Sequence, residues 1–205
     1  MNALSREVPI DPAHAALLVI DLQNYCVSDK SAKTEYFRQS LHDTVLPNIR
    51  RLQFVCQQAG IEVLYSVIEN MTRDGRDRSL DYKISGIDVP RGSWEAQVLA
   101  EIAPSEDEMV FRKTSSSVFI STNIDYVLRN LGVRSLIVTG LMTDQCVESA
   151  VRDACDLGYL ITLVTDACTT SSAERHKQSL IGIRGYCRQR TTDELVTEIK
   201  ALTLS

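Results

Sequence analysis

The chain has 205 residues, 44% hydrophobic and 24% charged, with a formal net charge of -5. That balance suits one globular domain with a sizeable core, and it excludes a disordered chain and any electrostatic case for nucleic-acid binding. No apolar run is long enough to span a bilayer, and the start MNALSREVPIDPAH lacks the charged-then-apolar design of a secretory signal. A cytoplasmic protein is therefore expected, with no membrane partner and with its six cysteines (26, 56, 146, 155, 168 and 187) as reduced thiols.

In chain order, strand and helix patterns alternate. The first apolar run, about Ala15–Ile20, reads as a buried strand, and a helix follows over about Asp43–Ala59, stopped by Gly60. A second strand covers about Glu62–Val67, and a long irregular segment runs from Ile68 to Trp94. A short helix is predicted over Glu95–Ile102, a third strand over Met109–Phe111, and a helix over Thr122–Leu131. A fourth strand at Ser135–Thr139 leads to a helix over Gln145–Leu157, and a fifth strand at Leu160–Thr165 leads to a helix over Ala173–Gly182. A short edge strand near Arg188–Arg190 and a last helix from Thr192, with Thr191 as N-cap, complete the chain. Such alternation means a parallel sheet with helices on both faces, in a single domain spanning residues 1–205.

Three positions carry candidate chemistry. Cys146 stands where the fourth strand hands over to a helix, and the positive end of a helix there favours a thiolate. A buried core cysteine is the alternative at that position. Asp21 ends the first strand in ALLVIDLQN, at the sheet end where open α/β folds place their sites, although an Asp there can equally cap the next turn. Lys113 follows the third strand in MVFRKTSSSVF and reads either as a site cation or as a solvated surface lysine.

Asp21 in VIDLQN, Lys113 in RKTSSSVF and Cys146 in GLMTDQCV, together with VRDACDLGY and LVTDACTT, resemble the isochorismatase-like cysteine hydrolase superfamily. The resemblance covers roughly residues 13–195. It implies a three-layer α/β/α fold, Rossmann-like, with a roughly six-stranded, mainly parallel sheet. It also implies a metal-independent cysteine hydrolase that cleaves a C–N bond of a small amide, carbamoyl, ureido or lactam substrate through a thioester on Cys146. Asp21 would serve as base and Lys113 as its cationic partner. By position, the superfamily's non-proline cis peptide falls at Leu141–Met142, beside backbone N–H donors at Met142 and Cys146 for an oxyanion. Vinyl ether hydrolysis, or an idle pocket that binds a small molecule or a protein partner, are the alternatives. A homo-oligomer is expected on the same ground.

Metal-dependent nicotinamidases of that superfamily carry histidines after the second strand, whereas here SVIENMTRDGRDRSLDYK has none. The three histidines, His14, His42 and His176, make no ligand cluster, so neither a metal nor another cofactor is expected. The 68–94 segment is the expected specificity element, a lid whose Arg76, Tyr82 or Trp94 would grip a polar substrate, unless its mixed charges are only a solvated surface. Asn24, Tyr25 and Cys26 should line the pocket, and Gln23 should buttress the turn. Asp144 is expected to cap the following helix and Asp166 to hold a turn. Cys56, Cys155 and Cys168 read as core and Cys187 as exposed.

Overall fold

Residues AALLVI are apolar and rich in residues that fill a pleated surface, and they form strand β1 (Ala15–Ile20), every residue of which is buried. A strand buried on both faces is the signature of a parallel sheet covered by helices. The structure, a computed structural model, describes residues 5–28, 31 and 34–203. Around β1 lie β2 (Glu62–Ile68), β3 (Met109–Lys113), β4 (Ser135–Leu141), β5 (Leu160–Thr169) and β6 (Arg188–Arg190), in the order β3-β2-β1-β4-β5-β6 with every ladder parallel.

The helices are α1 (Glu35–Ser40), α2 (Leu46–Gln58), α3 (Leu80–Ile84), α4 (Val118–Ser121), α5 (Ile124–Asn130), α6 (Glu148–Asp156), α7 (Ala173–Ile183) and α8 (Thr192–Thr203). The period-2 alternation of β1 sorts its side chains into two cores. Leu17 and Val19 pack with Ile49 and Leu52 of α2 and Ile199 of α8. Ala16, Leu18 and Ile20 pack with Leu128 of α5 and Ala150 and Val151 of α6. The result is three layers, helix on sheet on helix.

Several boundaries differ from the sequence reading. The helix expected from Asp43 begins earlier: α1, capped by Thr34 Oγ1 accepting from Phe37 N, runs through a π-helical turn at Leu41–Val45 into α2. The helix expected over Glu95–Ile102 is two 3-10 turns, Trp94–Ala96 and Ala100–Ile102. The helix expected over Thr122–Leu131 is preceded by a separate turn, α4, because Thr122 is extended (φ -135, ψ 173), its hydroxyl accepting from Ile124 N. The segment expected to be irregular contains α3.

Strand β5 continues to Thr169 because extra residues bulge between its pairings Val138↔Leu163 and Gly140↔Cys168. The bulge carries Asp166, whose carboxylate accepts from Thr192 N at 2.7 Å and Thr192 Oγ1 at 2.8 Å, so it secures the start of α8 rather than a turn of its own strand. Asp166→Ala is expected to cost about 1 kcal/mol, read as a lower urea midpoint at unchanged slope. Thr191 and Glu194 cap each other reciprocally at the same helix start. Cys187 is buried against the α7 carbonyl of Ile183, not exposed, and Cys155 is half-buried.

Candidate active site

Strands β1 and β4 are neighbours, yet the chain leaves β1 toward β2 and β3 and returns to the other side of β1 with β4. Their carboxyl ends therefore meet at the switch point of the sheet, where a crevice opens. At that point Ile20 pairs with Gly140. A Cβ on Gly140 would lie 2.1 Å from Ile20 O and 2.6 Å from Ile20 N, and φ there is +113°. Only glycine permits this approach. Asp21 follows directly in the left-handed region (φ 55), which a short polar side chain tolerates better than most, and the Leu141–Met142 peptide is cis.

Asp21 is held from both sides. Its N–H donates to Ser66 O at 2.9 Å, Ser66 Oγ donates to Oδ1 at 3.0 Å, and Lys113 Nζ faces Oδ2 at 2.8 Å. Lys113 ends β3 in register with Ile68 and is completely buried. Its ammonium also lies 2.7 Å from Tyr82 Oη, 2.9 Å from Ser115 O and 3.3 Å from Cys146 Sγ. Burial alone would lower the Lys113 pKa, but the charges of Asp21 and Cys146 outweigh it and hold the lysine above its ordinary value.

Cys146 lies in a π-helical turn, Thr143–Val147, which continues into α6. Helix α7 clamps that turn. Thr143 Oγ1 and His176 Nδ1 are 2.8 Å apart, Ser179 Oγ donates to Thr143 O at 3.1 Å, and Asp144 accepts from Thr170 Oγ1 at 2.5 Å and Arg175 Nε at 2.6 Å. Asp144 thus ties the turn to Thr170, just past β5, and to α7 rather than capping a helix. The expected low-pKa thiol is also corrected. Burial pushes the Cys146 thiol up to about 11, opposed by the Lys113 ammonium and reinforced by the Asp21 carboxylate.

A cavity of about 270 Å³ opens beside these groups, with Asp21, Tyr25, Cys26, Leu141, Met142 and Cys146 in its walls. Gln23 contributes to the wall and buttresses it, its amide bridging Ile68 N, Ile68 O and Glu95 O. The 68–94 segment reaches the cavity, but through Ile68, Ser85, Gly86 and Ile87. The structure places the other expected contacts elsewhere. Arg76 pairs with Asp74 in solvent, Trp94 is 55% exposed and outside the cavity wall, and the Asn24 amide donates to Trp94 O. Tyr82 is buried beneath the cluster. Sequence reasoning missed Ser66, although a lone serine in the apolar strand EVLYSVI was a usable signal. A larger groove of about 670 Å³ along β3 holds Arg112 as its one ionisable wall residue, so the chemistry points to the smaller cavity. Among the described residues no three His, Cys, Asp or Glu side chains gather as a metal site, and no helix is long and apolar enough to cross a membrane.

The chain is thus a six-stranded parallel α/β/α sandwich with an acid, a cation and a thiol at its switch point. Residues 15–194 match the Isochorismatase domain, and the chain belongs to that family. It is 26% identical over 204 residues to ureidoacrylate amidohydrolase RutB of Acinetobacter baylyi, covering 91% of this chain and 83% of that protein. It is 29% identical to the RutB of Caulobacter segnis, covering 91% and 85%. Among solved structures, it superposes on a cysteine hydrolase from Pseudomonas syringae pv. phaseolicola with a TM-score of 0.84, at 24% identity over 98% of this chain and 99% of that one. N-carbamoylsarcosine amidase of Thermoplasma acidophilum gives a TM-score of 0.73 at 25% identity, covering 87% and 96%.

Proposed function

We propose that the protein is a hydrolase of non-peptide C–N bonds, acting on a small amide, carbamoyl or ureido compound with Cys146 as nucleophile. The observation that carries this reading is the buried Asp21–Lys113–Cys146 cluster opening on a cavity of about 270 Å³. Buried charges are costly unless paired or used, and this pair adjoins a thiol at the cavity wall. The relatives support the substrate class, since the RutB proteins and the carbamoylsarcosine amidase are named for amide or ureide substrates.

In this mechanism Asp21 takes the Cys146 proton as the sulfur attacks the substrate carbonyl carbon. A high thiol pKa makes that base necessary at neutral pH. The carbonyl oxygen becomes an oxyanion, held by the backbone N–H groups of Met142 and Cys146. Asp21 then returns the proton to the leaving nitrogen as the C–N bond breaks, leaving a thioester. Water, deprotonated by Asp21, attacks the thioester and releases the acid, and the proton goes back to sulfur. Lys113 stays charged throughout and pairs with the Asp21 carboxylate between steps. No step draws on a metal.

The test is ammonia release from biuret, N-carbamoyl amino acids, ureidoacrylate, nicotinamide and maleamate, with EDTA present. Turnover of one of them is expected, with Cys146→Ala lowering it more than about a thousandfold at an unchanged melting temperature. Turnover that survives in Cys146→Ala, or that EDTA abolishes, would overturn the mechanism.

A further inference from the structure

The buried tyrosine of the lid segment has a hydroxyl with more partners than packing requires. Tyr82 is 1% exposed, its ring packed with Ile68, Val89 and Ala96. A phenylalanine would fill that space equally well. Its Oη instead accepts from Lys113 Nζ at 2.7 Å, lies 2.9 Å from Ser115 O and 3.6 Å from Cys146 Sγ. The position is anchored by the main chain: Ser79 caps α3 by accepting from Tyr82 N, and Ser79 N donates to Thr114 O at 2.8 Å.

A proton count shows what this arrangement allows. An ammonium has three N–H bonds. Lys113 Nζ has four acceptors in reach: Asp21 Oδ2, Tyr82 Oη, Ser115 O and Cys146 Sγ. The Tyr82 hydroxyl has one proton and two acceptors, Ser115 O and Cys146 Sγ. While Cys146 is a thiol, the Tyr82 proton rests on the Ser115 carbonyl. Once the sulfur is a thiolate, the same proton can turn to it. Ser115 O stays satisfied by Lys113, which keeps its ion pair with Asp21 and its short bond to Tyr82.

We propose that Tyr82 is a catalytic residue that relays the Lys113 charge to the Cys146 thiolate through an Nζ–H···Oη–H···Sγ chain. No bond to carbon or sulfur is made by Tyr82, and its proton changes acceptor without leaving oxygen. A cation polarises the hydroxyl it donates to, which strengthens that hydroxyl as a donor. The phenol itself does not ionise in this role, since burial and the neighbouring Cys146 and Asp21 charges hold it far above its ordinary value. The titratable and charged groups around the relay are Asp21 after β1, Lys113 on β3, Cys146 in the turn after β4, and Asp81 on α3. The proposal rests on the reading of Cys146 as nucleophile.

The test is the rate of iodoacetamide alkylation at Cys146 against pH, resolved by peptide mass spectrometry. In Tyr82→Phe the rising limb is expected to move up by about one pH unit, about tenfold slower at fixed pH, with kcat falling more than KM changes. Placing 3-fluorotyrosine at 82, a stronger donor of nearly the same shape, should move the limb the opposite way. That arm keeps the proposal falsifiable if Tyr82→Phe does not fold. An unmoved or lowered limb in Tyr82→Phe would mean that Lys113 alone supplies the donor and would overturn the relay. Cys146→Ala separates the two readings: if that variant keeps its turnover, the nucleophile assignment has failed, whereas a dead Cys146→Ala with an unmoved limb removes Tyr82 only.

Discussion

Lys113→Met is expected to lower both stability and turnover, by about 3–5 kcal/mol and by about a hundredfold or more. Methionine nearly matches the length of the lysine stem, so the loss measures the charge and not a void. The side chain is fully buried, and the carboxylate it pairs with is 5% exposed. Removing the ammonium leaves Asp21 as a buried acid with Ser66 as its side-chain donor, and leaves the Tyr82 hydroxyl without its cationic donor. In a chain of this length the loss should appear as a fall in melting temperature on the order of 10 °C. The pH dependence follows from the raised Lys113 pKa. A lysine whose folded pKa exceeds its unfolded value contributes fully below that unfolded value, about 10.4, and loses the contribution as pH climbs through the folded pKa. The gap between wild type and variant should therefore hold across neutral and mildly alkaline pH and narrow only above about pH 10.4. A variant as stable and active as the wild type would show that the ion pair is neither structural nor functional.

Gly140→Ala should be at least as damaging to the fold. The added Cβ would meet Ile20 O, N and C at 2.1, 2.6 and 2.8 Å, all backbone atoms of the central strand. No side chain can swing away to make room. The left-handed φ adds its own cost for an L side chain. More than about 4 kcal/mol is expected, with loss of soluble protein or a collapse of the melting temperature. Gly60→Ala is the control. Gly60 also has a positive φ but nothing within 4 Å of an added Cβ, so that variant should lose only about 1 kcal/mol. Comparable losses at the two positions would show that conformation alone, and not the contact between β1 and β4, explains the glycine. Because Asp21 is the residue after Ile20, a tolerated Gly140→Ala should still misplace the acid and reduce activity.

Much of this arrangement was legible in the residues. The runs ALLVI and SLIV are apolar on both strand faces, so they read as buried parallel strands, and Asp21 and Cys146 fall just beyond their ends. What escaped was orientation. The charges of the 68–94 segment are satisfied locally, Arg76 pairing with Asp74 and Asp77 accepting from the Thr72 N–H, and nothing in a charge pattern says which side chains turn inward. Tyr82 looked like a residue for gripping substrate because its burial depends on Ile68, Val89 and Ala96, which are distant in sequence or patternless. The helical start at Glu35 was hidden by a polar stretch, TEYFRQS, whose inward residue Phe37 is a single apolar signal. Burial of Cys146 reversed the thiol acidity expected from its place near a helix start, since local dipoles are weaker than full desolvation.

The sheet order also bears on when these side chains come together. Asp21, Tyr82 and Lys113 all precede β4, while Cys146 follows it, and the two parts of the sheet join along the β1–β4 ladder. During synthesis the acid, the phenol and the cation leave the ribosome before the sulfur does. Until β4 docks against β1, the thiol is a side chain on an unfinished chain, apart from Asp21, Tyr82 and Lys113. Assembly of these four side chains is thereby a late event, and their meeting marks the closing of the sheet's central seam.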